Sequence, residues 1–301
     1  MREEYLWDRS GPPDPEIEEL ERTLAPLRLR AHQQAPPRAY WRFAAAAAVI
    51  VLAMGVARFA VPRPEVTAWE LGGAKVRRGQ LLRPAGGAVQ LESEAVGRVD
   101  IAPGSEVLAS GGKRLELRRG ELSAFIWAPA REFVVDTPSA RAVDLGCRYT
   151  LNVDEHGDGL LRVSMGWVAF EAGGHESFIP AGAECRTRKK GGPGVPWYAE
   201  SSQAFRAALA DWENRQPGAL DSVLREAGPR DGLSLWHILT RVSGQERGRV
   251  FDRLAQLVPL PAEATRDGAL RGDAQSLDRC WDALGLQNTG WWRGWERRWS
   301  E

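Results

Sequence analysis

The sequence is short of cysteine, short of histidine, and has no excess of either charge. Three cysteines, Cys147, Cys185 and Cys280, are spread over 301 residues with no C-x-x-C pair. That excludes a disulfide-dense scaffold and the common paired-cysteine metal and redox motifs. Four histidines, His32, His156, His175 and His237, stand at no metal-ligand spacing to one another or to a cysteine. Forty basic and forty acidic residues cancel to a formal net charge of zero. A dedicated nucleic-acid binder normally carries a basic excess, so nucleic acid is not an expected partner. The Gly-rich phosphate loop, the nucleophile elbow and the H-E-x-x-H motif are all missing. Asp100 and Asp144 read as sheet-face and turn residues, not as an acid–base pair. The chain is therefore expected not to be an enzyme, with no cofactor and no metal site.

What is present begins with hydrophobic content, 43% of the chain, enough for a proper core. One uncharged apolar run, FAAAAAVIVLAMGVA, fills residues 43–57. With Phe59, Ala60 and Val61 it reaches the length of about 17–20 residues that a bilayer crossing needs, provided Arg58 snorkels. Tyr40 and Trp41 sit where an interfacial aromatic belt would lie. Arg28, Arg30, Arg38 and Arg42 precede the run closely, whereas Arg58 and Arg63 follow it. This bias predicts a transmembrane helix over 40–61 in a bacterial inner membrane. The N-terminal tail, 1–38, would be cytoplasmic and the remainder periplasmic. The position, some forty residues in, and the lack of an A-x-A site disfavour a cleaved signal.

Within the tail, Asp14 and Pro15 form a helix start, and Ile17, Leu20, Leu24 and Leu27 recur at spacings of three and four. Glu16, Glu18, Glu19 and Glu21 favour the positive end of that helix. A single amphipathic helix cannot bury its own stripe. Its acidity matches a protein partner better than an anionic lipid surface. A solvated helix with no partner is the plain alternative.

From about residue 66 to 186 the helical period gives way to short alternating runs broken by glycine. In residues 143–153 the side chains of Val143, Leu145, Cys147, Tyr149, Leu151 and Val153 are expected on one face, with Asp144, Gly146, Arg148, Thr150 and Asn152 on the other. A turn over 154–159 then leads into a return strand. Many such strands predict an antiparallel β-sandwich or a β-solenoid-like domain over 64–190. Cys147 and Cys185 both fall on inward positions. They are read either as a disulfide or as two buried free thiols, and spacing does not decide between these. GGPGVP at 191–196 marks a boundary, after which helical periods dominate. Candidate helices at 201–215, 219–228, 233–242, 246–258 and 276–286 predict a C-terminal α-helical bundle over 198–301. Trp291, Trp292, Trp295 and Trp299 share a helical spacing that suits a core or docking face.

Five segments in order carry a more specific signal. They are VGRVDIAPGSEVLA (96–109), RLELRRGELSAF (114–125), FVVDTPSARAVDLGCRYTLNV (133–153), LLRVSMGWVAFEA (160–172) and FIPAGAEC (178–185). The series resembles the FecR-domain family: a strand with Asp before a P-G-S turn, then L-x-R-G-E, F-x-V-x-T-P, D-L-G-T-x-F, V-x-x-G-x-V and an A-G turn. Cys147 stands where that pattern has Thr. The tail is shorter than the family's usual sigma-binding region, and the C-terminal helices have no obvious counterpart, so iron transport is not implied.

The resemblance implies a single-pass signalling regulator of the anti-sigma type. An extracytoplasmic-function sigma factor would bind the cytosolic tail through Ile17, Leu20, Leu24 and Leu27, and an unidentified envelope protein or ligand would meet the outer domain. The rival expectation is an envelope scaffold or binding protein with no sigma-factor partner.

Overall fold

The computed structural model describes residues 15–25 and 66–286. The chain divides into two compact units, residues 1–62 and 63–301. In the first unit helix α1 runs Pro15–Leu24. Proline at the first helical position gives up an amide that would lack a partner anyway. Glu16 and Glu18 in the first turn and Arg22 in the last suit the helix dipole.

The second unit opens with β1 (Val66–Leu71), β2 (Ala74–Arg77), β3 (Leu81–Leu82), β4 (Val89–Ser93), β5 (Gly97–Ile101) and β6 (Glu106–Gly111). Three long strands dominate it: β7 (Arg114–Ile126), β9 (Arg141–Val153) and β10 (Gly159–Ala172), with the short β8 (Val134–Asp136) between the first two. The sheet ends with β11 (His175–Pro180), β12 (Ala183–Arg188), β13 (Gly192–Pro193) and β14 (Trp197–Tyr198).

Each long strand changes partners along its length. The start of β7 pairs with β6 and β8, and its end, from Gly120, pairs with β5 and β9. β9 pairs first with β8 and then with β7. β10 pairs first with β12 and then with β11. Gly120, Gly146 and Gly166 mark these exchanges with φ of 89°, 87° and 71°. A side chain at Gly166 would meet the Gly146 carbonyl, and one at Gly120 would meet Ser105. Glycine thus lets the strands bend and serve two layers of one continuous sheet. The layers close on each other, with Trp69 of β1 edge-on to Phe133 beside β8 at 5.4 Å.

The pairing is antiparallel except for β7 with β8, which is parallel and corrects the purely antiparallel expectation. Alternation along β9 also holds only from Leu145 onward, because Ala142, Val143 and Asp144 are buried as well. Here β9 is covered on both faces, and periodicity alone does not reveal that.

Six helices follow: α2 (Gln203–Glu213), α3 (Ala219–Glu226), α4 (Gly232–Leu239), α5 (Gly244–Leu257), α6 (Arg266–Arg271) and α7 (Ala274–Ala283). Ser202 caps α2 by accepting the Phe205 amide at 3.0 Å, and Asp273 caps α7 by accepting the Ser276 amide at 2.8 Å. α6 falls between the candidate helices at 246–258 and 276–286, where no helix is expected. It is too short to show an apolar stripe, and its signals are the Thr265 cap and Gly272 at φ 71°.

The helices pack on the sheet as well as on one another. Trp281 of α7 lies 4.6 Å from Trp236 of α4, 5.8 Å from Phe178 of β11 and 5.9 Å from Trp167 of β10. His237 ties α4 to β11, its Nε2 accepting the Phe178 amide at 3.0 Å. Nδ1 therefore carries the proton and donates to the Leu233 carbonyl at 2.9 Å.

The transmembrane expectation is corrected. The apolar run at 40–61 lies outside the described residues, and among the described residues no helix is long and apolar enough to cross a membrane. The longest, α5, has 14 residues, or about 21 Å at about 1.5 Å per residue, against a hydrocarbon core of about 30 Å. The fold is a mainly β mixed sheet with packed helices, and the single-pass inner-membrane placement is withdrawn with the spanning helix.

Candidate partner-binding surfaces

Helix α1 carries three of the four residues expected to meet a partner, Ile17, Leu20 and Leu24. Leu20 and Leu24, one turn apart and so on one face, are 62% and 49% exposed. Of Ile17 only the backbone, within α1, is described, and Leu27 lies outside the described residues. Thr23 turns its hydroxyl back to the Glu19 carbonyl at 2.8 Å. Burying a leucine is worth about 1.5–3 kcal/mol, so the pair supplies enough for a binding hot spot.

A second surface lies on the sheet, and the sequence gives little sign of it. Trp127 and Met165 are each 46% exposed, although large apolar side chains are normally covered. Trp127 stands edge-on to Phe125 at 5.7 Å and donates its indole N–H to the Glu94 carbonyl at 2.7 Å. The Arg148 guanidinium lies over the Phe125 ring at 4.4 Å, and strand register sets Met165 beside Arg148. Tryptophan, methionine and arginine together are the residue types enriched at protein interfaces.

The family-like motifs meet inside the sheet. Gly104, at φ 78°, turns the chain after β5 and delivers Ser105, whose hydroxyl bonds the backbone of Glu121 across Gly120. Thr137 closes the turn between β8 and β9, its Oγ1 donating to the Ala140 carbonyl at 2.7 Å. Asp154 closes the β9–β10 turn by accepting the His156 and Asp158 amides, each at 2.9 Å.

Asp144 is buried and not a turn residue. Burial pushes its carboxyl up to about 7, opposed by hydrogen bonds from the Cys147 thiol and the Gly146 amide. The same burial, with Asp144 alongside, raises the Cys147 thiol well above the ordinary range.

Cys147 and Cys185 are both free and buried. They stand on strands flanking β10, Cys185 opposite Leu161 and Cys147 opposite Gly166, so two strand spacings of about 10 Å separate them across the sheet and a further offset separates them along it, beyond the reach of about 7 Å for a disulfide. The bridge is therefore not formed, and the free-thiol alternative is the one observed. Cys185 instead sits within 3.4 Å of the Arg186 and Gly194 carbonyls. No cluster of metal-ligating side chains occurs among the described residues.

No family model matches the chain, and no curated protein does. Two crystal structures of candidate anti-sigma factors align with part of it. A crystal structure of one from Parabacteroides distasonis ATCC 8503 aligns with a TM-score of 0.34 at 13% identity, covering 44% of this chain and 65% of that one. A second crystal structure from the same source aligns with a TM-score of 0.34 at 15% identity, covering 43% and 65%. The chain thus spans less than two thirds of the length of these neighbours.

Proposed function

We propose that this protein is a regulator of the anti-sigma type, in which α1 holds a sigma factor of the extracytoplasmic-function class. The observation that carries the reading is the exposure of Leu20 and Leu24, 62% and 49%, on a helix rich in glutamate. A basic partner groove with an apolar floor would receive both features: leucines below, glutamates at the rim. The ordered FecR-like motifs support the same reading, because Pro103-Gly104-Ser105 and Arg119-Gly120-Glu121 interlock in space as well as in sequence. The β unit then receives the signal, and the exposed Trp127–Met165 face is its contact surface. That face is also what a scaffold lacking a sigma partner would use, which makes α1 the discriminating element.

The test is direct binding. The full chain is titrated with each purified extracytoplasmic-function sigma factor of the source organism by calorimetry. One of them binds, and Leu20→Asp with Leu24→Asp abolishes the binding. A wild-type chain that binds none, or a double variant that binds equally well, overturns the reading.

A further inference from the structure

A cavity of about 760 Å³ opens where β12 and β13 face the ends of α2, α3 and α5. Its volume lies in the range of small-molecule pockets. Five arginines line it, Arg186, Arg188, Arg215, Arg241 and Arg249, against three carboxylates. One of those acids, Glu213, has a side chain only 6% exposed and accepts the Val195 amide at 2.6 Å. Burial raises its carboxyl, while the positive charges of Arg188, Arg241 and Arg186 all pull it back down. A single carboxylate is thus surrounded by three guanidinium groups.

Arg241 forms the fixed base of this arrangement. It donates to the Pro193 carbonyl at 3.1 Å, the Gly194 carbonyl at 3.0 Å and the Ser177 hydroxyl at 2.6 Å.

Arg215 is placed at a conformational cost. It follows α2 in a Schellman turn, with its amide on the Trp212 carbonyl at 2.8 Å and the Gln216 amide on the Asp211 carbonyl at 3.0 Å. Glycine usually occupies that left-handed position, yet the chain holds arginine there at φ 58°. Arg215 has no carboxylate partner among the described residues. The cavity also has an apolar side, formed by Trp212, Pro217 and Leu220.

We propose that this cavity binds a small organic phosphate. Two more arginines than carboxylates line it, and a phosphate monoester near neutral pH carries a charge of about −1.5 to −2. A single carboxylate would leave about half of that excess unmatched. The apolar wall at Trp212 receives the organic part. Guanidinium groups from β12, α5 and the turns after α2 and α4 suit the several oxygens of one phosphate.

The experiment is calorimetric titration of the full chain with phenyl phosphate, inorganic phosphate and benzoate at constant ionic strength. Phenyl phosphate binds saturably and more tightly than either of the others. Arg215→Gly relieves the left-handed strain and so folds at least as well, yet weakens phenyl phosphate by about tenfold, the worth of one charge-assisted hydrogen bond. Arg118→Ala, on the sheet surface away from the cavity, leaves the affinity unchanged. No saturable binding of phenyl phosphate, or an unaltered affinity in Arg215→Gly, overturns the site. Benzoate binding as tightly as phenyl phosphate overturns the assignment to phosphate.

Discussion

Ser105 and Glu121 exchange two hydrogen bonds, the Ser105 hydroxyl accepting the Glu121 amide at 2.8 Å and donating to the Glu121 carbonyl at 3.0 Å. β5 ends at Ile101, so the inner edge of β7 loses its strand partner at this point. The Ala102 amide still reaches the Glu121 carbonyl at 3.0 Å, the buried hydroxyl supplies the acceptor that the Glu121 amide would otherwise lack, and Gly120 makes room for it. Ser105→Ala leaves the Glu121 amide without its partner and costs about 2 kcal/mol. Gly120→Ala costs more, about 3 kcal/mol, because left-handed strain and overpacking add. Urea denaturation of the two variants checks this ranking, and a Gly120→Ala midpoint equal to wild type contradicts it.

Asp144 makes stability depend on pH in a definite direction. In the unfolded chain its carboxyl ionises near the ordinary value of about 4. In the folded protein burial pushes it up to about 7, so the native state holds the proton more tightly. Its contribution is fully present below about pH 4 and is lost as pH rises through the folded value. The loss is on the order of 4 kcal/mol at about 1.4 kcal/mol per pH unit. Asp144→Asn keeps an acceptor for the Gly146 amide and has no proton to lose. Stability measured between acid and neutral pH should fall in the wild type and stay flatter in the variant. Equal slopes would show that another group sets the dependence.

The alternating strands from 97 to 126 were legible because each has one covered face, as β5 shows with inward Val99 and Ile101 and outward Arg98 and Asp100. Glycine turns were legible for the same local reason. Asp144 was not, since what buries it is the second layer closing over β9, a long-range event. Nor was the role of His237, whose partner amide lies 59 residues away at Phe178. On α1 the leucine stripe could be read directly from spacing. The Trp127 face could not, because an outward tryptophan and an inward one look alike in an alternating run. The arginine-lined cavity draws on β12, α2, α3 and α5 at once, and no contiguous motif encodes it.

The three cysteines are expected to be inert in the native protein. All are free and buried, and burial raises the thiols of Cys185 and Cys280, the latter to about 11. A thiol this far up carries almost no thiolate near neutral pH. A thiol-reactive disulfide reagent should label none of them rapidly in buffer and all three in guanidinium without added reductant. Labelling of only one in guanidinium would mean that Cys147 and Cys185 are bridged after all.

Sheet and helices should unfold together, because their shared aromatic cluster spans both. Trp281 is 1% exposed and touches rings from β10, β11 and α4. Trp281→Ala removes those contacts and leaves a cavity, at a cost of about 3–5 kcal/mol. Thermal unfolding followed by far-ultraviolet circular dichroism and by tryptophan fluorescence should give one coincident transition in the wild type. The same coincidence at a lower midpoint is expected in the variant. Separate transitions would mean that the helices fold apart from the sheet.

The leucines of α1 should matter to binding and not to folding. Each is about half exposed or more, so the folded chain gains little from them. Leu20→Asp and Leu24→Asp should therefore shift the unfolding midpoint of residues beyond 62 by an amount equivalent to less than about 0.5 kcal/mol, the usual range for surface substitutions. Binding reads them differently, because a partner that covers both leucines gains about 3–6 kcal/mol of apolar burial, and an aspartate in either place forfeits its share and buries a charge. Measured side by side, an unchanged midpoint with lost sigma-factor binding assigns the pair to the interface. A lowered midpoint would instead make them part of the chain's own packing, and the loss of binding would then follow from unfolding.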